Sequence, residues 1–162
     1  MNIKVIDNYL PKKNLQNIID IVSDNYFPWY FIKGIVDDDH IIKNQFYYTH
    51  MLFRDSKLNS SAFEQVISNF LKKKFWKNLI RVKVNSYPHN EFVEHPFHRD
   101  FDYDHKAALF SINSCDGYTK FEDGTKVKSV KNRMLFFDPS IKHCSTNTSN
   151  CDRRININFN YF

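Results

Sequence analysis

The chain has 162 residues, of which 42% are hydrophobic and 17% aromatic, and a formal net charge of +5. That size and apolar content suit one domain, 1–162, with a sizeable core, and three glycines and five prolines are too few for a disordered or low-complexity chain. No apolar stretch is long enough to span a membrane, the N-terminus lacks the uncharged core of a signal peptide, and three cysteines without a paired spacing exclude a disulfide framework or a zinc knuckle, so a cytoplasmic protein is expected.

Residues 3–7 alternate enough for a short strand. Leu10-Pro11 opens a helix, since proline is tolerated in a first turn, and Leu15, Ile18, Ile19 and Val22 give it one apolar stripe. Phe27-Pro28-Trp29-Tyr30-Phe31-Ile32 begins a strand and 45–53 reads as another, with an acidic loop at Asp37-Asp38-Asp39 between them. A second helix is expected over 60–75, with Phe63, Val66, Ile67, Phe70 and Leu71 on its apolar face. Lys72-Lys73-Lys74, Lys77, Arg81 and Lys83 form the densest basic cluster. Such a stripe can attract phosphate backbones, but at a helix end it reads first as a solvated face.

Beyond it the chain reads as short strands at 79–86, 92–101, 107–113, 118–122, 126–130, 133–138, 142–145 and 154–161. Asp116-Gly117 and Asp123-Gly124 are hairpin signals. The sixteen Phe and nine Tyr favour strands and a thick core. Cys115, Cys144 and Cys151 read as free structural thiols, Cys144 facing away from its neighbour His143 on an extended segment.

The chemistry concentrates in His98-Arg99-Asp100, answered by His143 and then Arg154. Two histidines and one carboxylate are the facial ligand set of non-haem Fe(II), which leaves the remaining positions open. On a strand His98 and Asp100 point to the same side while Arg99 points away. His143 then has to arrive from a distant strand, which a jelly-roll or barrel permits. His95 is a rival ligand, but Pro96 argues against the helix that would align it with His98, so it reads as a rim residue. Arg154 suits the far carboxylate of a dicarboxylate co-substrate, because a guanidinium grips a carboxylate with two parallel hydrogen bonds. Were Arg153 the inward residue instead, Asn156, Asn158 and Asn160 would enter the hydrophobic layer unpaired.

These residues stand in an order that resembles the Fe(II)/2-oxoglutarate-dependent dioxygenases, in particular the prolyl-hydroxylase-like branch with its small phage and marine bacterial members. The resemblance runs from about Asn85 to the last residue. Tyr87-Pro88 precedes the His-x-Asp motif, 117–124 and 132–138 look like the central hairpin and the strand leading to the second histidine, and His143 with Arg154-Ile155-Asn156 is similar to the closing segment, with Asn156 where serine is more usual. The resemblance implies a mainly β (α+β) fold, a double-stranded β-helix (jelly-roll, cupin-like) core at 79–162 buttressed by the helices and strands of 1–78. It implies Fe(II) on His98, Asp100 and His143, 2-oxoglutarate held by Arg154 with Tyr87 and Asn156 nearby, and dioxygen as oxidant. The expected reaction is hydroxylation of a substrate C–H bond with release of succinate and carbon dioxide. Ser111 stands where the prolyl hydroxylases often have a tyrosine for the far carboxylate.

The primary substrate stays open among a peptide of prolyl type, a nucleobase and a small metabolite, and its recognition falls to the first eighty residues and the loops at 37–44, 88–97 and 102–106. The alternatives are a non-catalytic 2-oxoglutarate- or metal-binding sensing module and, from the basic balance, a nucleic-acid-binding protein. A phage-encoded chain would work in its host's cytoplasm.

Overall fold

The computed structural model describes residues 3–34 and 45–162, so the acidic Asp37-Asp38-Asp39 segment and the recognition loop expected at 37–44 lie outside the described residues. In chain order the elements are β1 (Lys4–Ile6), α1 (Lys12–Ser23), β2 (Tyr30–Lys33), β3 (Phe46–Arg54), β4 (Lys57–Leu58), α2 (Ala62–Ser68), β5 (Leu79–Pro88), β6 (Lys106–Ser111), β7 (Tyr118–Phe121), β8 (Lys126–Lys128), β9 (Arg133–Phe137), β10 (His143–Ser145) and β11 (Arg153–Tyr161). The strands form two antiparallel sheets. The larger runs β1-β9-β6-β11-β5-β3-β2, with β4 on β3, and the smaller runs β10-β7-β8. This is the mainly β, jelly-roll architecture with two helices that the sequence predicts. No helix among the described residues is long and apolar enough to cross a membrane.

The two central strands explain how the layers form. On β5, Ile80, Val82 and Val84 alternate with Arg81, Lys83, Asn85 and Tyr87; on β11, Ile155, Ile157, Phe159 and Tyr161 alternate with Arg154, Asn156, Asn158 and Asn160. The pairing sets Arg154 against Tyr87, Asn156 against Asn85, Asn158 against Lys83 and Asn160 against Arg81. One face of the sheet is therefore apolar and the other polar, as period two requires.

The apolar face takes the helices. Leu15, Ile18 and Val22 of α1 and Val66 and Ile67 of α2 share one core with Val82, Val84, Ile157 and Phe159. Phe70 seals it, edge-on to Phe110 at 5.2 Å and to Phe159 at 5.1 Å. Each such fully buried side chain contributes roughly 1.5–3 kcal/mol. The polar face survives burial because its side chains hydrogen-bond to one another, Asn85 Oδ1 being left without a partner among the described residues. Asn85 Nδ2 donates to Asn156 Oδ1 at 3.0 Å, and Arg81 Nε to Asn160 Oδ1 at 3.0 Å.

Several expectations need correction. The second helix ends at Ser68, where the Asn69 amide donates to the Gln65 and Val66 carbonyls, and a 3-10 turn at Leu71–Lys73 follows. Leu71 is consequently exposed rather than on the apolar face. β2 begins only at Tyr30, past Pro28, which has no N–H to give a ladder. No continuous strand forms over 92–101. Isolated bridges Glu94↔Thr146 and His98↔His143 hold that segment along β10 instead, Pro96 lying between them without a donor.

Asp116-Gly117 makes no hairpin between strands. A side chain at Gly117 would meet the Asn147 carbonyl oxygen at 2.6 Å and Arg154 Cδ at 2.7 Å, so the glycine serves close packing. Asp123-Gly124 does turn β7 into β8, with Gly124 at φ +89°. The basic cluster divides. Lys72, Lys73 and Lys74 are exposed, but Arg81 and Lys83 lie on the polar inner face of β5, where strand alternation overrides their reading as a solvated stripe.

Candidate active site

The smaller sheet and the 94–100 segment cover the polar face, and the space between holds a cavity lined by Lys83, Asn85, Tyr87, His98, Asp100, Thr119, His143, Ser145, Asn156 and Asn158 among others. Asn156 of β11, Tyr87 of β5 and the His98, Asp100 and His143 group thus open into one space.

His98 and His143 are neighbours across a two-way backbone bridge, with His98 N to His143 O at 2.9 Å and His143 N to His98 O at 3.0 Å. That bridge replaces the strand expected to orient His98. Asp100 follows two residues later on the same side, and the ligand atoms of the three residues all lie within 4.8 Å of one another. Burial drives the His98 imidazole down to about pKa 4, helped by His143, and burial lowers His143 as well. Both rings are therefore neutral at pH 7, the form that donates a lone pair to a metal.

Asp100 is held as an anion. Burial works to raise its pKa, but the Arg81 guanidinium, His143 and the Asn160 amide hold the carboxyl far below the ordinary carboxylate range. Arg81 Nη2 donates to Asp100 Oδ1 at 2.7 Å, and Asn160 Nδ2 and Asn158 Nδ2 donate to Oδ2 at 2.8 and 3.3 Å. Arg81 is fixed in turn by Asn160, by Asn158 and by the Phe101 ring, 4.8 Å from its Cζ. Two neutral imidazoles and one ionised, donor-held carboxylate converging from separate segments fit a divalent transition metal.

Arg154 is 1% exposed. Its Nε donates to Ser129 Oγ at 2.7 Å, Nη1 to the Thr146 carbonyl at 2.9 Å and Nη2 to Thr119 Oγ1 at 3.2 Å. The Tyr87 ring lies 5.5 Å from its Cζ, and Tyr87 stacks on Tyr47 at 5.3 Å. Burial raises the Tyr87 phenol and lowers Arg154. Among the described residues no carboxylate pairs with this guanidinium. A buried cation without a counter-ion is costly unless an anion joins it. Arg153, one position along, lies instead over the Trp29 ring at 5.5 Å.

His95 corrects another expectation: it is buried rather than at the rim, against Tyr87 at 5.3 Å and with Nδ1 2.8 Å from Ser145 Oγ. Its signal was missed because the irregular backbone around Pro96 breaks the period-two rule. Ser111 is buried opposite Asn156 on the neighbouring strand. Sequence reasoning also missed Arg81, Lys83, Thr119 and Ser145. The parity of Arg81 and Lys83 with Tyr87 was a usable signal; Thr119 and Ser145 carried none.

No protein-family model matches the chain, and neither does any curated protein sequence. Solved structures do. A prolyl hydroxylase from Trichoplax adhaerens, in complex with a peptide fragment of the hypoxia inducible factor oxygen degradation domain, is 18% identical with a TM-score of 0.66, covering 99% of this chain and 83% of that one. A 2OG-Fe(II) oxygenase family oxidoreductase from Burkholderia pseudomallei is 8% identical with a TM-score of 0.69, covering 98% and 84%. A prolyl-4-hydroxylase from Pseudomonas putida is 11% identical with a TM-score of 0.65, covering 98% and 91%. The chain therefore has the jelly-roll fold of the 2-oxoglutarate-Fe(II) oxygenases.

Proposed function

We propose that the chain is an Fe(II)- and 2-oxoglutarate-dependent dioxygenase, oxidising a C–H bond of a primary substrate of peptide, nucleobase or metabolite type. The observation that carries this reading is the buried, uncompensated Arg154 in the same polar layer as a two-histidine, one-carboxylate cluster. A metal alone needs no such cation, and a dicarboxylate that reaches both requires it.

His98, Asp100 and His143 would hold the metal. Bound there, Fe(II) supplies the coupling of oxidative decarboxylation of 2-oxoglutarate, with release of succinate and carbon dioxide, to substrate oxidation. The protein's own residues do the positioning. Arg154 and Thr119 Oγ1 receive the far carboxylate, with the Tyr87 ring as the wall beside them. Arg81, Asn158 and Asn160 keep Asp100 ionised and aimed. Asn85 Oδ1, buried with no partner among the described residues, is an acceptor free for a donor group of the primary substrate. Phe97 and Tyr103, exposed on the segments that frame the site, suit substrate contact.

Calorimetry with Mn(II) in place of Fe(II) tests the reading. Mn(II) binds the wild-type chain, 2-oxoglutarate binds only the metal-loaded form, and His98→Ala, Asp100→Ala and His143→Ala each lose most of the metal affinity with the fold retained. Undiminished affinity in any of the three removes that residue from the ligand set.

A further inference from the structure

Lys83 lines the cavity and is a second cation of the polar layer, one that the chemistry above does not use. It lies on β5 two residues from Arg81 and four from Tyr87, on the same face, opposite Asn158 of β11. It lines the cavity with His98 and Asp100, and its Nζ stands 5.6 Å from the centre of the Tyr47 ring. Yet it makes no ion pair and no side-chain hydrogen bond among the described residues. Asp100, the carboxylate beside it, is already engaged by Arg81, Asn158 and Asn160 on its two oxygens.

Two cations without carboxylate partners thus share the polar layer, Lys83 in the lining of the cavity and Arg154 against Tyr87 and Thr119, which line it too. Arg154 is paired across the sheet with Tyr87, and Tyr87 lies four positions along β5 from Lys83, about 13 Å along the strand. A five-carbon diacid with its far carboxylate on Arg154 and its other end at the triad makes no demand on Lys83. Holding an unpaired ammonium in a site where methionine or leucine would pack is costly, and a bound anion offsets that cost.

We propose that Lys83 is the anchor for an anionic group of the primary substrate, so that the substrate is a small carboxylate- or phosphate-bearing molecule whose reacting carbon lies between Lys83 and the triad. The proposal rests on the oxygenase reading above. It favours a small acid over a neutral peptide or a bare nucleobase.

The test uses the full chain loaded with Mn(II) and saturated with 2-oxoglutarate, titrated calorimetrically with propionate and glycerol phosphate, and with their neutral counterparts propionamide and glycerol. At least one anionic probe binds at least tenfold more tightly than its neutral counterpart, carboxylate and phosphate arms telling the two anions apart. Lys83→Met, which keeps the length of the stem, erases that difference, Lys83→Arg retains part of it, and the affinity for 2-oxoglutarate changes less than threefold in both. Thermal melting shows Lys83→Met at least as stable as wild type. No preference for any anionic probe, a preference that survives Lys83→Met, or a tenfold loss of 2-oxoglutarate in Lys83→Met each overturns the proposal. Failure of the wild-type chain to bind 2-oxoglutarate at all overturns the oxygenase reading beneath it instead.

Discussion

Replacing Arg154 by methionine separates a co-substrate role from a merely structural one. Three hydrogen bonds, to Ser129, Thr146 and Thr119, hold the guanidinium in place, and no carboxylate compensates it. The loss of those bonds leaves the buried Thr146 carbonyl short of a donor, which costs about 1–3 kcal/mol, but it also removes an uncompensated buried charge, so the net effect on the ligand-free fold is small. The effect on the co-substrate has no such offset. Losing a charge-assisted, two-pronged contact costs about 2–4 kcal/mol, which is tens to several hundred-fold in Kd for 2-oxoglutarate. Arg154→Lys keeps the charge but not the fork and falls between. Arg153→Ala loses only a partly exposed contact with Trp29, about 0.5–1 kcal/mol of stability, and leaves the Kd unchanged. Calorimetric titration of 2-oxoglutarate into the Mn(II)-loaded variants measures all three. If Arg153→Ala proves the more damaging, or a folded Arg154→Met binds as wild type does, the reasoning fails.

Arg81→Met breaks a buried ion pair whose side chains are 10% and 7% exposed, so the metal-free protein loses about 3–5 kcal/mol, and thermal melting should show Mn(II) stabilising this variant more than wild type, because the ion replaces the cationic partner that Asp100 has lost. His95 titrates at about 3 in the fold, mainly through burial, against 6.5 when unfolded. Its contribution is complete above pH 6.5 and is lost as the pH falls towards 3; urea unfolding of the metal-free protein at pH 5 should give about 2 kcal/mol less stability than at pH 7.5 from this group, a share that His95→Gln removes. Gly117→Ala forces a methyl against the Asn147 carbonyl and Arg154 Cδ, costing about 1–3 kcal/mol in a denaturant titration and weakening 2-oxoglutarate together with it.

What was legible in the chain was what alternation writes directly. The last strand carries four apolar residues on one parity and Arg154, Asn156, Asn158 and Asn160 on the other, and the fold keeps that division. The first helix shows its stripe at Leu15, Ile18 and Val22 because one face meets the sheet. Legibility failed where tertiary context decides. Around Pro96 the backbone follows β10 by two bridges rather than by a ladder, so parity said nothing about His95. Arg81 and Lys83 looked like surface charge because lysine and arginine are rarely buried, although Ile80, Val82 and Val84 between them marked an alternating strand. Thr119 and Ser145 are ordinary strand residues until the smaller sheet brings them over Arg154 and Tyr87.

Succinate formation tests the central claim most directly. With Fe(II), 2-oxoglutarate and dioxygen, and no primary substrate, the wild-type chain should release succinate slowly, since an intact ligand set with open positions supports uncoupled turnover. The Asp100→Ala variant should release none. Wild-type succinate indistinguishable from that control, with metal and 2-oxoglutarate shown to be bound, would contradict the account and leave a protein that binds 2-oxoglutarate without consuming it.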